Sequence, residues 1–66
     1  MDSDLQAVAR AYRRIRETGA MDHPARVEAE RVYRERHPDA GPEVSRVVAE
    51  LLHKASMAGL LWPVGS

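Results

Sequence analysis

An all-α fold, a small three-helix bundle followed by an apolar C-terminal tail, is what this sequence predicts. Three observations carry that prediction. Apolar residues recur at spacings of three and four in three separate stretches. Each stretch is bounded by residues that start or stop helices. No stretch alternates apolar and polar residues with the period of two that a strand requires.

The first stretch opens with Ser3-Asp4-Leu5-Gln6, a capping-box pattern in which the Ser3 hydroxyl and the Gln6 side chain each satisfy the other residue's backbone N–H. Leu5, Val8, Tyr12 and Ile15 then share one face, with Ala9 and Ala11 at its edges. Gln6, Arg10, Arg13, Arg14 and Glu17 lie opposite. Gly19 can take the left-handed conformation that ends a helix, which predicts a first helix over 4–18.

Asp22-His23-Pro24 restarts the chain, with Asp22 or His23 as the expected cap and Pro24 at a first helical position. Ala25, Ala29, Val32, Tyr33 and Arg36 share a face, while Glu28, Glu30, Arg31, Arg34 and Glu35 point away. Arg26/Glu30, Glu30/Arg34 and Arg31/Glu35 are spaced as ion pairs one turn apart. Pro38 forces His37 out of helical geometry, so the second helix is expected over 24–37.

Asp39-Ala40-Gly41-Pro42-Glu43 is a turn and a helix start, with Asp39 or Gly41 as cap. Val44, Val47, Val48, Leu51, Leu52, Ala55 and Ala58 form the clearest stripe of the chain, and Gly59 stops it, which predicts a third helix over 42–58. Leu60-Leu61-Trp62-Pro63-Val64 follows as an apolar run. The expected division is a three-helix domain over 1–59 and a tail over 60–66. Short connections favour antiparallel neighbours.

A chain of 66 residues holds one domain. A domain of this size buries only about 60% of its unfolded surface, so its stability is marginal. There is no Cys, which removes disulfides and thiolate zinc sites as supports. Association with itself as a homo-oligomer, or with a larger protein, is therefore expected. Basic and acidic residues balance at 10 each, unlike the strongly basic composition usual in nucleic-acid modules. No apolar run is long enough to span a bilayer, and the acidic start is unlike a signal peptide. A cytoplasmic protein without membrane contact is expected, and the excess of arginine over lysine suggests a bacterial one.

Nothing in the sequence assembles a catalytic set, and no cofactor is expected. His23 and His37 flank the second helix, about 20 Å apart at the helical rise, too far to share a metal ion. His53 sits on the polar face of the third helix. Asp2-Ser3-Asp4-Leu5 partly resembles the Asp-Ser-Leu attachment site of acyl-carrier domains. There the serine opens an internal helix after a preceding helix and loop; Ser3 opens the chain and reads as a cap.

The function expected from the sequence is thus a helical protein-interaction module, an accessory, regulatory or assembly protein. Its partner-binding candidates are Leu60, Leu61, Trp62 and Val64 in the tail and Arg36, a charge within an apolar stripe. The alternative is a small nucleic-acid-associated regulator contacting phosphate through Arg10, Arg13 and Arg14. A recognition-helix reading of the third helix is disfavoured by Glu43 and Glu50, which would face the phosphate backbone.

Overall fold

A computed structural model of the chain describes residues 3–61. It is an all-α three-helix bundle: α1 spans Asp4–Arg16, α2 spans Asp22–Arg36 and α3 spans Val44–Met57. No strand occurs among the described residues. None of the helices described is long and apolar enough to cross a membrane.

α1 begins as its sequence demands. The Gln6 N–H donates to the Ser3 hydroxyl at 3.2 Å, and the Ser3 N–H donates to Gln6 Oε1 at 3.3 Å, completing the capping box. The helix ends at Arg16, two residues before the expected boundary. The N–H groups of Thr18 and Gly19 donate to the carbonyls of Ile15 and Arg16, which tightens the chain into a turn. Gly19 closes that turn at a φ of +93°, a conformation costly for any side chain.

α2 starts at Asp22, two residues earlier than expected, and its N-cap residue Met21 makes no side-chain capping bond. Asp22 is held by a tertiary bond instead: the Tyr12 hydroxyl of α1 donates to Asp22 Oδ1. Pro24 still lies in the first turn, where its missing donor removes no helical hydrogen bond. The helix stops at Arg36. His37 leaves helical geometry with φ −133° and ψ 74°, as a residue before proline should.

The expected caps of α3, Asp39 or Gly41, give way to Glu43. Pro42, with its fixed φ, suits the second position of a turn over residues 41–44, closed by the Val44 N–H on the Gly41 carbonyl at 3.2 Å. The Glu43 carboxylate then reaches back and accepts the Gly41 N–H at 3.1 Å. At the far end, the Leu60 N–H donates to the Ala55 carbonyl and the Gly59 N–H to the Ser56 carbonyl, around a Gly59 φ of +74°. This is a Schellman stop, and it turns the chain sharply back toward the bundle.

Contacts between named ends give the direction of packing. The start of α1 meets the end of α2 through Asp4 and Arg36, while Tyr12 meets the start of α2. These two helices are therefore antiparallel. Arg13, late in α1, reaches Leu60 just past α3, so α1 and α3 run the same way. The order is up-down-up.

The core is built from small side chains. Ala9, Ala11, Ala25, Ala29 and Ala55 are buried beside Val8, Val44 and Val48, with Tyr12, Leu52 and Leu61 supplying bulk. Small residues let helix axes approach closely. Ala9 and Ala11, placed at the edges of a face by their spacing, are interior because α1 packs against both other helices. Leu5, Ile15, Val32, Val47 and Leu51 are half-buried around this core. Ala58 is exposed, since α3 ends before it. Leu61 is only 6% exposed and packs in the core, with Leu60 partly buried against it.

Candidate functional site

The outer face of α1 carries a groove. Gln6, Arg10, Arg13 and Glu17 project from that face at spacings of four, three and four, which the helical period places in one row. Ala9, nearly fully buried, is at its floor, and Arg14 flanks it. Leu60, delivered by the Schellman turn after α3, forms the opposing wall. The groove encloses about 450 Å³ and opens to solvent.

Its wall is pinned in place. Arg13 Nη1 donates to the Leu60 carbonyl at 3.2 Å, joining residues 47 apart in the chain. Arg13 Nη2 also lies 3.9 Å from the Glu17 carboxylate, a long and exposed pair. Arg14 turns the other way, its Nη2 donating to Glu28 Oε2 of α2 at 2.9 Å. Arg31 also holds Glu28, through Nε at 2.9 Å and Nη2 at 2.6 Å, and its Nη1 reaches Glu35 at 2.6 Å. The Arg31 guanidinium, ahead of its desolvation cost, keeps the Glu28 carboxyl below the usual carboxylate range.

The sequence-predicted residues divide into three groups. Arg10, Arg13 and Arg14 are brought together with Leu60 around the groove. Leu61 is buried in the chain's own core, and Trp62 and Val64 lie outside the described residues. Arg36, read from its position in an apolar stripe as a partner contact, is occupied within the chain: its Nε donates to Asp4 Oδ1 at 2.8 Å. An arginine in the last turn of α2 meets an acid in the first turn of α1, and each complements the other helix's dipole.

Several participants were not legible. Glu28, read as pointing to solvent, is the shared acceptor of two helices, its side chain 19% exposed. Glu30 accepts from the Ser45 hydroxyl of α3 at 3.3 Å rather than pairing along its own helix. His37 Nε2 lies 2.6 Å from Asp4 Oδ2, and its ring stacks on Tyr33 with centroids 4.5 Å apart. No sequence signal joins Asp4 to His37; only the antiparallel pairing does. Among the described residues, no three His, Cys, Asp or Glu side chains gather as metal ligands.

Compared with known protein families, with curated proteins and with solved structures, the chain matches none.

Proposed function

We propose that this protein is a small helical interaction module, an accessory or assembly protein that receives a segment of a partner protein on the outer face of α1. One observation carries the reading: a groove of about 450 Å³ combines exposed guanidinium groups with a floor and wall of apolar side chains, Ala9 and Leu60. Recognition surfaces mix an apolar centre with orienting charges in this way.

Phosphate binding by Arg10, Arg13 and Arg14 is the second reading. Glu17 in the groove and Glu28 against Arg14 disfavour it, because both would face the phosphates. Affinity capture from extract of the native host, with and without nuclease treatment and comparing the wild type with Arg10→Glu, tests the choice. Retention of a defined protein by the wild type and its loss in the variant is expected. Retention only of nuclease-sensitive material would promote the second reading. Identical retention by both chains would remove the groove from the function.

A further inference from the structure

We propose that Met21 and Met57 form a reversible oxidation site at one end of the bundle, where peroxide converts both thioethers to sulfoxides and leaves the core intact. The chain has three Met and no Cys, so thioethers are its only sulfur groups. Met1 lies outside the described residues. Met21 is 74% exposed and Met57 78%. Methionine more often fills gaps inside a core, yet no Met is among the buried residues described. The fold places both sulfurs together at one end. Tyr12 of α1 bonds Asp22, the residue after Met21. Its neighbour Arg13 bonds Leu60, three residues after Met57. The start of α2 and the end of α3 therefore meet at the same end of α1. The site is separate from the α1 groove, whose lining residues contain no sulfur.

Oxidation removes no bond that holds the fold. Met21 is the N-cap residue of α2 but makes no side-chain capping bond. Met57 is the last residue of α3, and that end is closed by backbone bonds: the Ala58 N–H donates to the Lys54 carbonyl and the Leu60 N–H to the Ala55 carbonyl. The chemistry needs a hydroperoxide as oxidant. The sulfur lone pair attacks one oxygen of hydrogen peroxide and the O–O bond breaks. The proton left on the transferred oxygen passes to the departing hydroxide, giving water and a sulfoxide, with the sulfur oxidised by two electrons. Methionine sulfoxide reductases return the thioether at the expense of a dithiol, which becomes a disulfide as water leaves. Each cycle turns a flexible apolar side chain into a polar one and back. The end of the bundle bearing Met21 and Met57 thus alternates between apolar and polar surface, while the packed residues behind it are unchanged.

Treatment of the full chain with hydrogen peroxide, followed by peptide mapping in a mass spectrometer, tests this. Met21 and Met57 should each gain one oxygen at a rate within about threefold of that in the urea-unfolded chain, because neither is covered. The oxidised chain should keep the helical circular dichroism and melting temperature of the untreated one. Methionine sulfoxide reductases for both epimers, supplied with dithiothreitol, should return both residues to the unmodified mass. In a Met21→Leu, Met57→Leu double variant, oxygen uptake at methionine should be confined to Met1, with the helical signal retained. Slower oxidation than that at either residue would overturn the proposal, because that sulfur is then covered. Loss of helix in peroxide, whether or not the double variant escapes it, would overturn the claim that oxidation leaves the core intact. Sulfoxides at Met21 or Met57 that the reductases do not reduce would overturn reversibility.

Discussion

The Nε of Arg36 lies 2.8 Å from Oδ1 of Asp4, so the last residue of α2 is tied to the first residue of α1. His37 Nε2 occupies the other carboxylate oxygen at 2.6 Å. One aspartate thereby closes the end of the α1–α2 hairpin opposite the Tyr12–Asp22 bond.

That arrangement makes stability acid-sensitive. The bonds from Arg36 and then His37 hold the Asp4 carboxyl below its ordinary value, and Arg31 does the same for Glu28. A carboxyl depressed in the folded state adds stability above its unfolded pKa, and that contribution is lost as pH falls through the folded value. Urea unfolding should therefore show falling stability below about pH 4. Asp4→Asn should lose roughly 0.5–1 kcal/mol at pH 7, a modest figure because solvent screens the site, and should flatten the acid limb.

Glu28→Gln should destabilise the chain by about 1–2 kcal/mol, since a half-buried acceptor shared by Arg14 and Arg31 loses its charge. A double-mutant cycle with Arg14→Gln should give a coupling of about 0.5–1 kcal/mol between α1 and α2. The charge reversal Arg14→Glu, which the sequence alone presents as harmless on a solvated face, should cost more than Arg10→Glu because it sets a second carboxylate against Glu28. Equal melting temperatures for the two reversals would contradict this.

Leu51 and Leu52 are adjacent in sequence but differ in environment. Leu52 is 6% exposed and in the core, whereas Leu51 is half-buried at its margin. Leu52→Ala should cost about 2–5 kcal/mol and leave little folded protein, with a smaller loss for Leu51→Ala. Circular dichroism at 25 °C distinguishes them.

Gly19 has a φ of +93°, and a Cβ added there would meet nothing within 4 Å. The cost of Gly19→Ala is then purely one of backbone conformation, about 1 kcal/mol. Gly19→Asn should cost less, because asparagine tolerates the left-handed region better. Chemical denaturation of the pair provides the check.

Truncation separates the two parts of the apolar run. A chain ending at Leu61 keeps every described core residue and should fold. One ending at Gly59 loses a buried leucine and the Schellman bond from Leu60, and should be weaker by about 1.5–3 kcal/mol.

The helices were legible because spacing and end signals agree at Ser3, Gly19, Pro38 and Gly59. Alanines carried less signal: Ala9 looks marginal on a helical projection, yet it is interior because α1 has two neighbours. The start of α2 was misplaced because Asp22, expected as a cap, is the first helical residue, bonded to Tyr12 across the bundle and paired with Arg26 one turn along. Arg36 was read as a partner contact from its place in an apolar stripe, whereas an acid that accepts its Nε lies 32 residues away in the same chain. One wall of the groove could be read from the row Gln6, Arg10, Arg13 and Glu17. The other wall could not, because nothing local in the sequence places Leu60 opposite Arg13.

The bond from Arg13 to the Leu60 carbonyl also sets a timetable. Contacts between α1 and α2 join nearby segments and close short loops. The groove needs a residue 47 positions after Arg13, a longer loop to close and so a later contact by loop-closure entropy. A chain whose Leu60 has not docked displays the arginines without the apolar wall. Any ligand that requires both would select fully folded molecules, and by binding only the closed form would hold the end of α3 against fraying.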